Sequence, residues 1–120
     1  MGSLSPEAEF QLRRAERVLR EREERRGRLL AAAHAAAQVL RDEFGATRVW
    51  LFGSLTRPWF HEASDVDLAV EGVALDRIGA AWDRATEVIG SSVDLVAIEE
   101  ADESLRARIL DSGELLLERR

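Results

Sequence analysis

Residues 47–71, TRVWLFGSLTRPWFHEASDVDLAVE, decide how the chain folds. The stretch opens on an apolar run, Thr47 to Phe52, with Val49 and Leu51 on one face and Trp50 and Phe52 on the other. A strand that is apolar on both faces belongs in the middle of its sheet. The run stops at Gly53-Ser54, a dipeptide at home in a turn. Ten residues then separate Ser54 from Asp65, where a second strand, Asp65 to Glu71, begins. Strand alternation sends Val66, Leu68 and Val70 to the core and Asp65, Asp67 and Glu71 to the other side. Asp65 and Asp67 then share a face roughly 6–7 Å apart.

Two carboxylates on one face repel unless a proton or cation lies between them. A divalent metal with oxygen ligands answers that need, and magnesium takes one or two carboxylates together with substrate phosphates. Asp-x-Asp alone also fits a solvated strand face. The later run SSVDLVAIEE adds Asp94 inside a third strand, Val93 to Ile98. A carboxylate there is costly to bury unless paired or metal-bound. It also fits an edge position facing water.

Outward from this centre the chain alternates. Ser5-Pro6-Glu7 has the residues of a helix start: a capping serine, proline at the first position, and glutamate at the positive end. Glu9→Arg13, Glu16→Arg20, Glu21→Arg25 and Glu24→Arg28 place an acid four residues before a base, each pair stabilising a helix by about 0.2–0.5 kcal/mol. Glu21 to Arg28 holds no large apolar side chain, and Gly27 marks an expected break or bend. An alanine-rich helix from about Arg28 to Phe44 follows, stopped by Gly45. Leu75, Ile78, Trp82, Ala85 and Ile89 have helical spacing and end near Gly90. Leu105, Ile109 and Leu110 mark a helix closed by Gly113, and Leu115 to Leu117 a short last strand. This order describes an α+β or α/β domain with one sheet. The expected division is a charged helical arm, residues 1–28, and a folded domain, residues 29–120.

Composition narrows the chemistry. A length of 120 residues fits one domain with a modest core. All 17 basic residues are arginine, so a Walker-type phosphate loop and Schiff-base chemistry are excluded for want of lysine. The absence of cysteine excludes disulfides and thiolate metal sites. Between Glu7 and Arg28 eight arginines face six glutamates, whereas from Asp42 to Glu118 seventeen acids face six arginines. An acidic domain argues against general binding to a nucleic-acid backbone and suits cations. No apolar run approaches the ~20 residues of a membrane span, and the first residues lack the basic and apolar segments of a signal peptide. Cytoplasmic residence is the default expectation.

Gly53-Ser54, the ten-residue interval, Asp65-x-Asp67 and the later Asp94 together resemble the signature of the DNA polymerase β-like nucleotidyltransferase superfamily, and most of all its minimal nucleotidyltransferase group. The resemblance covers roughly Arg41 to Leu117. It implies a small mixed β-sheet flanked by helices, to which the N-terminal helix is an extension. It implies that Gly53 and Ser54 hold the triphosphate of ATP, helped by Arg57. It further implies that Asp65, Asp67 and Asp94 bind two Mg2+ ions, Asp94 also helping to activate an acceptor hydroxyl. Pro58 departs from the pattern, standing where relatives often have glycine and removing an N–H donor. Trp59 and Phe60 fit either stacking on a base or, the favoured reading, anchoring of the connecting loop. His61 and His34 are isolated and read as ordinary polar residues.

Members of this group pair with helical HEPN toxins. The resemblance therefore implies an antitoxin that transfers AMP from ATP to a hydroxyl, such as that of a tyrosine, on its partner. The chain has no tyrosine of its own, which agrees with modification of another molecule. Two other functions stay open: a non-catalytic module that masks its partner, and a transferase acting on a small molecule. The arginine-rich arm would serve docking or homo-oligomer formation, or be a solvated helix.

Overall fold

The computed structural model describes residues 2–53 and 64–119. Its elements are α1 (Pro6–Phe44), β1 (Arg48–Phe52), β2 (Val66–Glu71), α2 (Ile78–Ile89), β3 (Val93–Ala97), α3 (Glu103–Ser112) and β4 (Glu114–Glu118). Single 3-10 turns precede α2 and α3.

The expected break at Gly27 does not occur, and α1 runs unbroken for 39 residues. At 1.5 Å per residue that is about 58 Å of helix, which accounts for the 63 Å long axis of the molecule. An exposed glycine costs a helix only about 1 kcal/mol. The docked half of α1, where Leu29, Ala33, Ala36, Ala37 and Leu40 are buried, supplies the nucleus from which the helix extends. Ser5 caps the start, its hydroxyl accepting from Ala8 N–H at 3.1 Å, and Gly45 closes the end. Of the expected four-residue pairs, Glu9–Arg13 closes at 3.8 Å. Arg25 turns instead to Asp65.

The sheet is mixed, in the order β3-β2-β1-β4. β1 is central as its two apolar faces require, antiparallel to both β2 and β4. β2 and β3 are parallel, a pairing that needs a crossover connection. The 3-10 turn and α2 provide it. Val49, Leu51, Val66, Leu68, Val70, Val93 and Leu95 face one layer, packed under α1 and α2. Trp50 and Ala69 face the other, with Ile98 and Ile109 of the α3 side.

α2 buries Ala85 and Ile89 of the expected stripe, with Ile78 partly buried against the same core, while Leu75 and Trp82 depart from it. Its buried residues are Ala81, Ala85 and Ile89. Leu75 lies in the preceding 3-10 turn and is 58% exposed, and Trp82 is 39% exposed. Alanines on α1 and α2 belong to the same core cluster, so small side chains let the two helices approach. Trp82 lies at the margin and donates its indole N–H to Val93 C=O at 2.6 Å.

Two glycines should respond oppositely to substitution. A Cβ at Gly113 would lie 2.4 Å from Ile109 C=O, so Gly113→Ala should lower stability by about 1–3 kcal/mol, read from denaturant unfolding. A Cβ at Gly27 meets nothing within 4 Å. Gly27→Ala should therefore slow amide exchange across residues 20–27 by stabilising the helix locally by about 0.5–1 kcal/mol, with little change in the global unfolding midpoint.

Candidate functional site

Parallel pairing in register decides what stands beside what. Asp67 of β2 lies opposite Asp94 of β3, and on its other side opposite Phe52 of β1. Asp67 follows Val66 and precedes Leu68, both in the layer under α1 and α2. Alternation therefore turns Asp67 to the α3 side of the sheet. Val93 and Leu95 lie in the same layer, so alternation turns Asp94 to the α3 side too. The two carboxylates are neighbours across the sheet. Asp67 is 2% exposed and accepts a short hydrogen bond from the Ser64 hydroxyl. Asp94 is half-buried on the sheet's outer strand.

Asp65 is held differently. It lies in a bend one residue ahead of β2, so the alternation that orients Asp67 does not fix its side chain. Its backbone N–H bonds the hydroxyl of Ser92 at 2.9 Å and lies 3.1 Å from the Ser92 carbonyl. Its carboxylate Oδ2 accepts from Ser91 Oγ at 2.6 Å and Ser92 Oγ at 3.1 Å. Oδ1 meets Arg25 Nη2 of α1 at 3.0 Å. These donors stabilise the ionised form, Ser91 most, then Arg25 and Ser92, and lower the Asp65 pKa to about 2 against the opposing effect of burial.

Gly53 ends β1 with φ of 78°, in the left-handed region where a residue with a Cβ is strained. The position thus requires the glycine that the sequence pattern singled out. Ser54 and Arg57, expected to hold phosphate, and the segment Pro58 to His61 lie outside the described residues. His34 is exposed on α1.

Among the described residues no group of three or more His, Cys, Asp or Glu side chains is arranged to hold a metal ion. The structure brings Asp67 and Asp94 together, with Asp65 secured by Arg25 and the two serines. A buried carboxylate beside a second carboxylate, both hard oxygen donors, fits a divalent cation such as magnesium. Arg25 and the Ser91-Ser92 pair were missed by sequence reasoning. Arg25 carried a competing signal, the glutamate four residues before it, and Ser91-Ser92 carried only the look of a turn. A cavity of about 450 Å³ near Leu75, Ile78, Val96 and Leu105 takes in none of the expected site residues. Among the described residues no helix is long and apolar enough to cross a membrane.

The comparisons with known proteins agree with this fold. The family model described as polymerase beta, nucleotidyltransferase, matches residues 35–120. No curated protein matches. Among solved structures, a toxin–antitoxin with AMP-PNP aligns with TM-score 0.59 at 25% identity, over 69% of this chain and 70% of that one. A toxin–antitoxin MntA-HepT structure aligns with TM-score 0.59 at 22% identity, over 74% of this chain and 72% of that one. A putative nucleotidyltransferase from Sulfolobus solfataricus aligns with TM-score 0.51 at 22% identity, over 78% and 84%. The last two support the fold alone. Since the family model takes in most of the chain, including all four strands and the Asp67–Asp94 pair, the protein belongs to the polymerase β nucleotidyltransferase family.

Proposed function

We propose that the protein transfers AMP from ATP to a hydroxyl group of a partner protein, a HEPN-type toxin, and acts as its antitoxin. The observation that carries this reading is the in-register pair Asp67 and Asp94, inside the residues that match the nucleotidyltransferase family. The likeness to a toxin–antitoxin structure with AMP-PNP at 25% identity supports both an adenine nucleotide and a toxin partner. The chain has no tyrosine of its own, which agrees with a tyrosine acceptor on another molecule.

Gly53, Ser54 and Arg57 hold the triphosphate in this proposal. The left-handed turn at Gly53 lets the backbone approach phosphate closely. Asp65, Asp67 and Asp94 would hold Mg2+. When bound, the metal neutralises phosphate charge and lowers the pKa of a coordinated hydroxyl. The acceptor oxygen forms a bond to the α-phosphorus, the bond from that phosphorus to the bridging oxygen breaks, and pyrophosphate leaves. Asp94, half-buried and nearer solvent than Asp67, takes the hydroxyl proton. Asp67 keeps its carboxylate orientation through the Ser64 hydroxyl.

The test uses ATP labelled at the α-phosphate, magnesium and the partner toxin, with wild-type protein beside an Asp65→Ala/Asp67→Ala variant. Wild type should label the toxin, and the variant should do so at least about 100-fold more slowly. If no label moves with wild type, and the variant still neutralises the toxin, masking replaces catalysis as the account.

A further inference from the structure

We propose that Arg25 is a positioning residue: from the N-terminal extension it holds Asp65 and so sets the affinity of the site for its divalent cation. The inference rests on the reading of Asp65 as a metal ligand. Both oxygens of Asp65 are engaged, Oδ1 by Arg25 at 3.0 Å and Oδ2 by Ser91 and Ser92 at 2.6 and 3.1 Å. A guanidinium and a divalent cation on one carboxylate are like charges in close contact, and each weakens the other's hold. Arg25 therefore competes with the cation for Asp65, while the serines, being neutral, only orient it.

The exchange is physically easy. The Arg25 side chain is 53% exposed, so leaving Asp65 returns it to water rather than stranding a buried charge. Glu21, four residues earlier on the same helix, is at the favourable spacing to receive it. Residues 21–25 of α1 are all exposed, and its docked stretch begins at Leu29. The Arg25–Asp65 contact thus ties this exposed part of the helix to the site. Arg25 also precedes the family-matched residues 35–120, so the contact is a feature of this chain's own extension. Occupation of the site by metal and release of the arm are two sides of one exchange.

Manganese(II) binding by the full-length protein, followed by electron paramagnetic resonance, tests this. Arg25→Gln should bind Mn2+ about two- to fivefold tighter than wild type, the range expected for an exposed ion pair. Arg25→Lys, which restores the cation, should return to within about twofold of wild type. Asp65→Asn should weaken binding, and adding Arg25→Gln to Asp65→Asn should change the affinity no further. Hydrogen exchange gives a second readout: Mg2+ should speed exchange of amides 20–27 in wild type and leave exchange in the Arg25→Gln variant unchanged. If Asp65→Asn weakens Mn2+ binding but Arg25→Gln does not alter it, the role of Arg25 is overturned and the ligand role of Asp65 stands. If wild type binds no Mn2+, both fall together.

Discussion

The parallel pairing of β2 with β3 is the constraint on which the rest of the structure depends. Its register puts Asp67 directly against Asp94. A parallel pair cannot be closed by a hairpin. The chain must leave β2, cross over the sheet and return, and α2 is the element that does so. The alanine faces of α1 and α2 then serve a purpose beyond filling space. They clamp the crossover onto the sheet and thereby hold the register that makes the site.

That register has a cost. Like charges directly opposite one another destabilise a sheet, and a carboxylate as buried as Asp67 is unfavourable unless something positive or a proton donor meets it. Ser64 supplies part of the compensation. Arg48, Glu71 and Thr47, at the opposite end of β1 and β2, show the contrasting arrangement. There the acid meets its base across the strands at 2.6 Å, and Thr47 donates to the same carboxylate at 3.0 Å. Arg48 holds Glu71 below the ordinary carboxylate range, chiefly by this hydrogen bond. One end of the β1–β2 pair is neutralised within the protein. The other gathers negative charge, which is what a site for a cation and a phosphate-bearing substrate requires.

Much of this was legible in the sequence. The two-faced apolarity of Trp50 and its neighbours placed β1 at the centre, and the alternation Val66, Leu68, Val70 gave β2 its core face. What was not legible depended on contacts distant in the chain. Gly27 has the local look of a helix break, yet the docking of Leu29 to Leu40 carries the helix through it. In α2 the expected stripe holds at Ala85 and Ile89 and in part at Ile78, whereas Ala81, one position from Trp82, takes the buried place beside α1. Asp65 shares a motif with Asp67 but lies ahead of the ladder, so alternation does not govern it. Arg25 has a good partner four residues back, and only the fold shows that it takes Asp65, forty residues on in sequence.

Function in this protein turns on whether the Asp67–Asp94 pair holds a divalent cation. A crystal of the protein soaked in Mn2+ with a non-hydrolysable ATP analogue, measured for anomalous scattering, tests it most directly. An anomalous peak is expected about 2.1 Å from carboxylate oxygens of both Asp67 and Asp94, absent from an Asp67→Asn/Asp94→Asn crystal treated alike. A wild-type crystal with the nucleotide analogue bound and no peak at these carboxylates would contradict it.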